Sequence, residues 1–287
     1  MFFDILLDSV LDAALDTLKL LPFLFLAYLL IEFIENRAEE KTVALIHRAG
    51  RLGPAFGSAL GVIPQCGFSA ATANLYAGGL ITRGTLIAVF LSTSDEMLPI
   101  FLSKNVPVAF TVKVLAFKFV AGMIAGFLID VAEQKLGHPQ EKAIHDICEQ
   151  EGCNCEEGIL RSAVFHTVKT AVFLLIMNFL ITLVVALVGE EHLAGFILNK
   201  PVIGELLAGL VGLIPNCAAS VMITELYLQG GMSSGAMLSG LLVGAGVGLL
   251  VLFRMNRRNM KENFITLALL YASGVFFGLI SSLLPIW

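Results

Sequence analysis

The chain carries one pattern twice, 151 residues apart. Ile63-Pro64-Gln65-Cys66, followed by Ser69, Leu75, Tyr76, Gly79 and Gly84, returns as Ile214-Pro215-Asn216-Cys217, followed by Ser220, Leu226, Tyr227, Gly230 and Gly235. Between Gly53–Leu91 and Gly204–Leu242, 11 of 39 aligned positions are identical without a gap. The match continues upstream at offset 150 (Thr17/Thr167, Lys19/Lys169, Phe23/Phe173, Leu24/Leu174) and downstream at offset 152 (Gly122/Gly274, Gly126/Gly278). Pro, Cys, Tyr and Gly agree, not only Leu and Ala, so chance likeness of two apolar stretches is a poor explanation. Internal duplication in so apolar a chain implies a transporter built from two structural repeats.

Composition fixes the solvent. At 57 % hydrophobic, 14 % charged and a mean hydropathy of +0.87, 287 residues cannot cover a water-facing surface. The first basic residue is Lys19, so the basic start of a cleavable signal peptide is missing. Asp4, Asp8, Asp12 and Asp16 instead recur on one helix face, the wet side of an interfacial helix running into the first span.

The expected fold is an all-α polytopic membrane protein with two inverted repeats of about five helical segments each. The segments read Leu15–Glu35, Leu52–Ile63, Gly67–Gly78, Ile81–Leu102 and Val108–Ile129, then Ala163–Val188, Phe196–Ile214, Ala218–Leu228, Met232–Phe253 and Phe264–Leu284. This divides the chain into repeat 1 (1–130), a cytoplasmic linker (131–162) and repeat 2 (163–287). Leu52–Ile63 rises only about 18 Å as a helix, against roughly 30 Å of hydrocarbon. Two such half-length helices joined at a proline make a re-entrant or broken-helix hairpin. Its freed backbone groups survive in lipid only where protein buries them or a polar cavity receives them. The breaks are Pro64 to Gly67 and Pro215 to Ala218.

Basic residues set the orientation. Arg37, Lys41, Arg48 and Arg51 share one loop with Arg254, Arg257, Arg258 and Lys261 in another, and Arg83, Lys135, Lys142 and Arg161 join them on one side. Only Lys104 and Lys200 fall in the opposite short loops. Both termini are then outside the plasma membrane and the linker is cytoplasmic. An odd number of crossings per repeat inverts the second, so the two tips enter from opposite faces and meet near the midplane, where inverted-repeat transporters hold substrate.

Each tip offers a thiol (Cys66, Cys217), a carboxamide (Gln65, Asn216) and a hydroxyl (Ser69, Ser220). Thiols suit soft cations and arsenic-like centres. Either cysteine alone reads most simply as a small apolar filler, but equivalent positions beside two breaks favour function. Ser92-Thr93-Ser94-Asp95-Glu96 has no polar counterpart; the partner segment reads Val243-Gly244-Ala245-Gly246-Val247. Carboxylates inside a span are costly, which makes Asp95 and Glu96, with Thr93 and Ser94, candidates for ion binding or proton coupling. An outer-vestibule carboxylate is the plainer role. Asn74 and its repeat partner Glu225 complete the candidates. His138, His145, Cys148, Cys153 and Cys155 cluster in the acidic linker and suit metal capture more than disulfides in a reducing compartment, although the spacing matches no zinc finger.

The paired Ile-Pro-x-Cys tips, the Ser-Thr-Ser-Asp-Glu run and the Cys/His linker resemble the ten-helix heavy-metal exporter family, related to the arsenic permeases and described as arsenic efflux or manganese transporters. The resemblance spans nearly the whole chain. It implies export of a metal or metalloid, with Cys66 and Cys217 matching the motif cysteines and Asp95 and Glu96 the acidic pair. Thiols favour arsenite, cadmium or zinc; carboxylates with carboxamides favour manganese or another hard divalent ion. A carrier of a small organic solute or organoarsenical on the same scaffold is the alternative. A membrane-embedded enzyme is disfavoured, since neither tip has a phosphate site and no His-Glu-x-x-His motif exists. No Gly-x4-Gly-Lys loop binds ATP, so an ion gradient or the substrate's own gradient must drive transport, and no resident cofactor is required. The partners to expect are the transported ion, membrane lipid and, where it assembles, a second copy, not nucleic acid.

Overall fold

The computed structural model describes residues 2–36, 52–94, 96–136, 159–188 and 202–283, and the regular structure among them is entirely helical. Twelve α-helices follow in order: α1 (Phe2–Asn36), α2 (Gly53–Gly61), α3 (Cys66–Ala77), α4 (Arg83–Ser92), α5 (Met97–Ser103), α6 (Val108–Lys135), α7 (Ile159–Val188), α8 (Ile203–Gly212), α9 (Cys217–Leu228), α10 (Ser234–Val243), α11 (Gly248–Met255) and α12 (Met260–Leu283). Among the described residues, six stretches are long and apolar enough to cross a membrane, counting α4–α5 and α10–α11 as one each. The linker from 137 to 158 lies outside the described residues, and with it His138, His145, Cys148, Cys153 and Cys155.

Two expected segments, Ile81–Leu102 and Met232–Phe253, are interrupted in the structure. The first breaks after Ser92, where Thr93 turns extended (φ −55°, ψ 130°), and resumes at Met97. The second breaks after Val243 and resumes at Gly248. Local chemistry explains both. Ser92 and Thr93 donate their hydroxyls to Ala88 O and Val89 O (2.7 and 2.8 Å), and Ser94 to Ser92 O (3.1 Å), so side chains compete with the helix for its carbonyls. In the second break, Gly246 adopts φ +53°, a left-handed conformation that suits glycine. α1 is one 35-residue helix, roughly 52 Å long, in which the stretch with the aspartate stripe runs without a break into the first span.

Several repeated residues have visible structural causes. Gly79 and Gly230, at equivalent positions, take φ +74° and +77° just past α3 and α9. Their amides donate to Tyr76 O and Tyr227 O (both 3.0 Å), and the next amides to Leu75 O and Leu226 O, which closes each helix end. Thr82 and Ser233 then cap α4 and α10 by accepting from Thr85 N and Ala236 N, each at 3.1 Å.

Packing follows the same plan in each half. α2 lies on α4 and α6, and α8 on α10 and α12; α4 runs along α6, and α10 along α12. Small residues permit the close approach. A Cβ on Gly126 would meet Gly84 O at 2.6 Å and Ala88 Cβ at 2.9 Å; one on Gly278 would meet Ser239 Cβ at 2.5 Å and Gly235 O at 3.0 Å. Between halves the helices exchange partners: α3 packs on α11, and α9 on α5. α1 lies along α7, where Tyr28 and Thr170 share a hydrogen bond of 2.7 Å.

Ion pairs stand at both ends of this bundle. At one end Arg83 pairs with Glu133 of α6 and, at 3.9 Å, with Glu262 of α12, and donates to the Tyr76 hydroxyl at 3.1 Å. At the other end of α4–α5, Lys104 pairs with Glu225 at 3.6 Å, both well exposed. Arg83, the end of α6 and the start of α12 thus share one end.

Candidate functional site

Each Pro-x-Cys turns with the same bonds. Gln65 N donates to Ile63 O and Asn216 N to Ile214 O, both 2.8 Å. Cys66 and Cys217 are then the first residues of α3 and α9, and Ser69 and Ser220 donate to their carbonyls at 2.8 Å. A sulfur at a helix start faces the positive end of the helix dipole, which favours the negative charge it takes on binding an electrophilic centre.

Beyond these bonds the tips differ. The first is packed shut: a Cβ on Gly67 would strike the Phe23 ring of α1, and one on Gly248 of α11 would lie 2.9 Å from Ser69 Cβ. Cys66 and Ser69 are buried there, Gln65 is half-buried, and Pro64 is exposed. The second tip opens onto a small cavity of about 20 Å³, room for about one water molecule. Ile214, Asn216, Cys217 and Ser220 line it from the tip, Thr93 and Ser94 from the first break, and Gly244 and Gly246 from the second.

Hydrogen bonding limits what these groups can offer. The Asn216 amide is engaged at both ends, accepting from Ala218 N (3.1 Å) and donating to Thr182 Oγ1 (2.9 Å). The hydroxyls of Thr93, Ser94 and Ser220 donate to backbone carbonyls, which leaves their oxygens as acceptors. Asp95 lies outside the described residues, although its neighbours Ser94 and Glu96 flank it in the break. Glu96 is half-buried, close enough to Lys19 of α1 to interact with it electrostatically, as is Cys66. The Asn74 carboxamide is fully buried with neither atom hydrogen-bonded among the described residues, whereas Glu225 sits at the rim with Lys104. Among the described residues no three His, Cys, Asp or Glu side chains form a metal-binding group.

Lys118 was not among the residues singled out from the sequence. It reaches from the middle of α6 into the cavity wall, with no solvent exposure. Its ammonium donates to Thr93 O and, at 2.9 Å, to Leu241 O, joining the ends of α4 and α10. The signal was present as a lysine deep in an apolar span, which is a functional candidate by default.

Residues 2–190 match the family described as "Putative, 10TM heavy-metal exporter". The chain belongs to this family. The matched region includes the first tip, the first break and the linker, and ends before the second tip. No curated protein and no solved structure matches the chain. Membership places this heavy-metal exporter among membrane transporters rather than enzymes, with a metal as its cargo class.

Proposed function

We propose that this exporter is a secondary transporter that carries a thiophilic metalloid, arsenite or a close analogue, by alternating access between inverted halves. The observation that carries this reading is the cavity where Cys217 faces two helix breaks. Cys217 is the soft ligand, and the oxygens of Thr93, Ser94 and Ser220 accept hydrogen bonds from the hydroxyls of a species such as arsenous acid. Manganese, the harder alternative, finds no carboxylate among the described residues that line the cavity. The duplicated tips, matched helix order and exchange of α3 and α9 across the halves support an inverted-repeat arrangement with a rocking interface.

Purified protein in lipid vesicles is expected to exchange external for internal arsenite, with no ATP present. Manganese uptake without arsenite exchange would transfer the site to hard cations, and exchange of neither would favour the organic-solute carrier. The sidedness has its own check. A membrane-impermeant thiol reagent added to intact cells should miss Cys148, Cys153 and Cys155 and reach a cysteine placed at Lys200; labelling of the linker thiols would reverse the orientation.

A further inference from the structure

We propose that Arg83 is a latch of alternating access: its guanidinium, rooted in the first half, holds one end of the transport path shut by reaching across to Glu262 of the second. The inference rests on the transport reading above and names the contact that must open. An ion pair to the second half stands at each end of the broken segment α4–α5: Arg83 to Glu262 of α12, and Lys104 to Glu225 of α9. Between them lies the break at Thr93 and Ser94, on the cavity wall. An unwound stretch in mid-segment lets the two ends tilt separately. That motion opens a path on one face while the other stays closed.

The two ends are built differently. The Arg83 side chain is 10 % exposed, whereas those of Lys104 and Glu225 are 57 % and 40 % exposed. Water and salt screen the outer pair, so it holds little; Arg83 lies where screening is weaker. Arg83 is also fixed from its own half, Nε donating to the Tyr76 hydroxyl at 3.1 Å and Nη1 to Glu133. Nη2 faces Glu262 Oε2 at 3.9 Å, within Coulomb range but beyond a hydrogen bond. The crossing contact can therefore break while the guanidinium keeps its partners on α3 and α6, and no buried charge on Arg83 is stranded as α12 moves off. One side of the contact is firm and the other releasable.

Opening is read at Cys217, with Cys66, Cys148, Cys153 and Cys155 replaced by Ser, using a membrane-impermeant maleimide on right-side-out and on inverted membrane vesicles. From the Arg83 face, Arg83→Gln and Glu262→Gln should each speed labelling at least tenfold over the parent. The double variant should label no faster than Arg83→Gln, since both changes remove one contact. From the Lys104 face labelling should not rise, which separates an unlatched end from a loosened fold. Unchanged labelling from the Arg83 face in Glu262→Gln overturns the latch, as does acceleration from both faces. Glu262→Gln leaves Arg83 and its two bonds in place, so it decides even if Arg83→Gln does not fold. Parent vesicles that fail to exchange arsenite overturn the transport reading, a separate failure, because the labelling contains no cargo.

Discussion

Cys217→Ser is expected to lower arsenite exchange at least a hundredfold, while Cys66→Ser lowers it by less than about fivefold. The two thiols share sequence context and helix position, yet only Cys217 lines the cavity; Cys66 is buried, with Phe23 against the neighbouring Gly67 and the start of α11 against Ser69. Replacing sulfur by oxygen removes the soft ligand and changes volume little, so the loss should appear in binding as well as turnover. The double variant should match Cys217→Ser alone. Equal losses from both single variants, with a double no worse than either, would instead mark the thiols as co-ligands whose tips meet in another state of the transport cycle. Arsenite binding and exchange on the same purified proteins distinguish the two outcomes.

The largest effect on the fold is expected from Gly126→Leu. Even a Cβ there would lie 2.6 Å from Gly84 O, 2.8 Å from Pro54 Cβ and 2.9 Å from Ala88 Cβ, all three in the neighbouring helices α2 and α4. Overpacking of a yielding core costs about 1–3 kcal/mol, and a backbone carbonyl yields least. Gly126→Ala should therefore lose about 3 kcal/mol, and Gly126→Leu should give no monodisperse protein in detergent. Leu128→Ala, two residues on and largely exposed toward lipid, should change the unfolding midpoint little. A Gly126→Leu protein that purifies and unfolds like wild type would remove close α4–α6 packing as the role of this glycine.

The sequence disclosed the all-helical, membrane-spanning class because composition and periodicity depend on the solvent, and six stretches long and apolar enough to cross bear that out. Positions 79 and 230 were visible as a repeated glycine because both need a left-handed backbone. The helix breaks at 93 to 96 and 244 to 247 were harder to see. Apolar residues flank both closely, and in the first the competition between its hydroxyls and the helix carbonyls is settled by what packs alongside. Lys118 was missed for a related reason: its two carbonyl partners lie 25 and 123 residues away, and no local pattern records such a meeting. The tips carry nearly identical motifs, so only tertiary packing could reveal that one is sealed and the other faces a cavity.

The exchange of helices between halves has a consequence for biogenesis. α3 leans on α11 and α9 on α5, so the N-terminal half has a vacant berth until residues 248–255 have been synthesised and inserted. Assembly therefore ends with a late, reciprocal clasp rather than the docking of two finished modules. A ribosome that stops after the linker leaves an orphan half with an open groove, a natural target for membrane quality control.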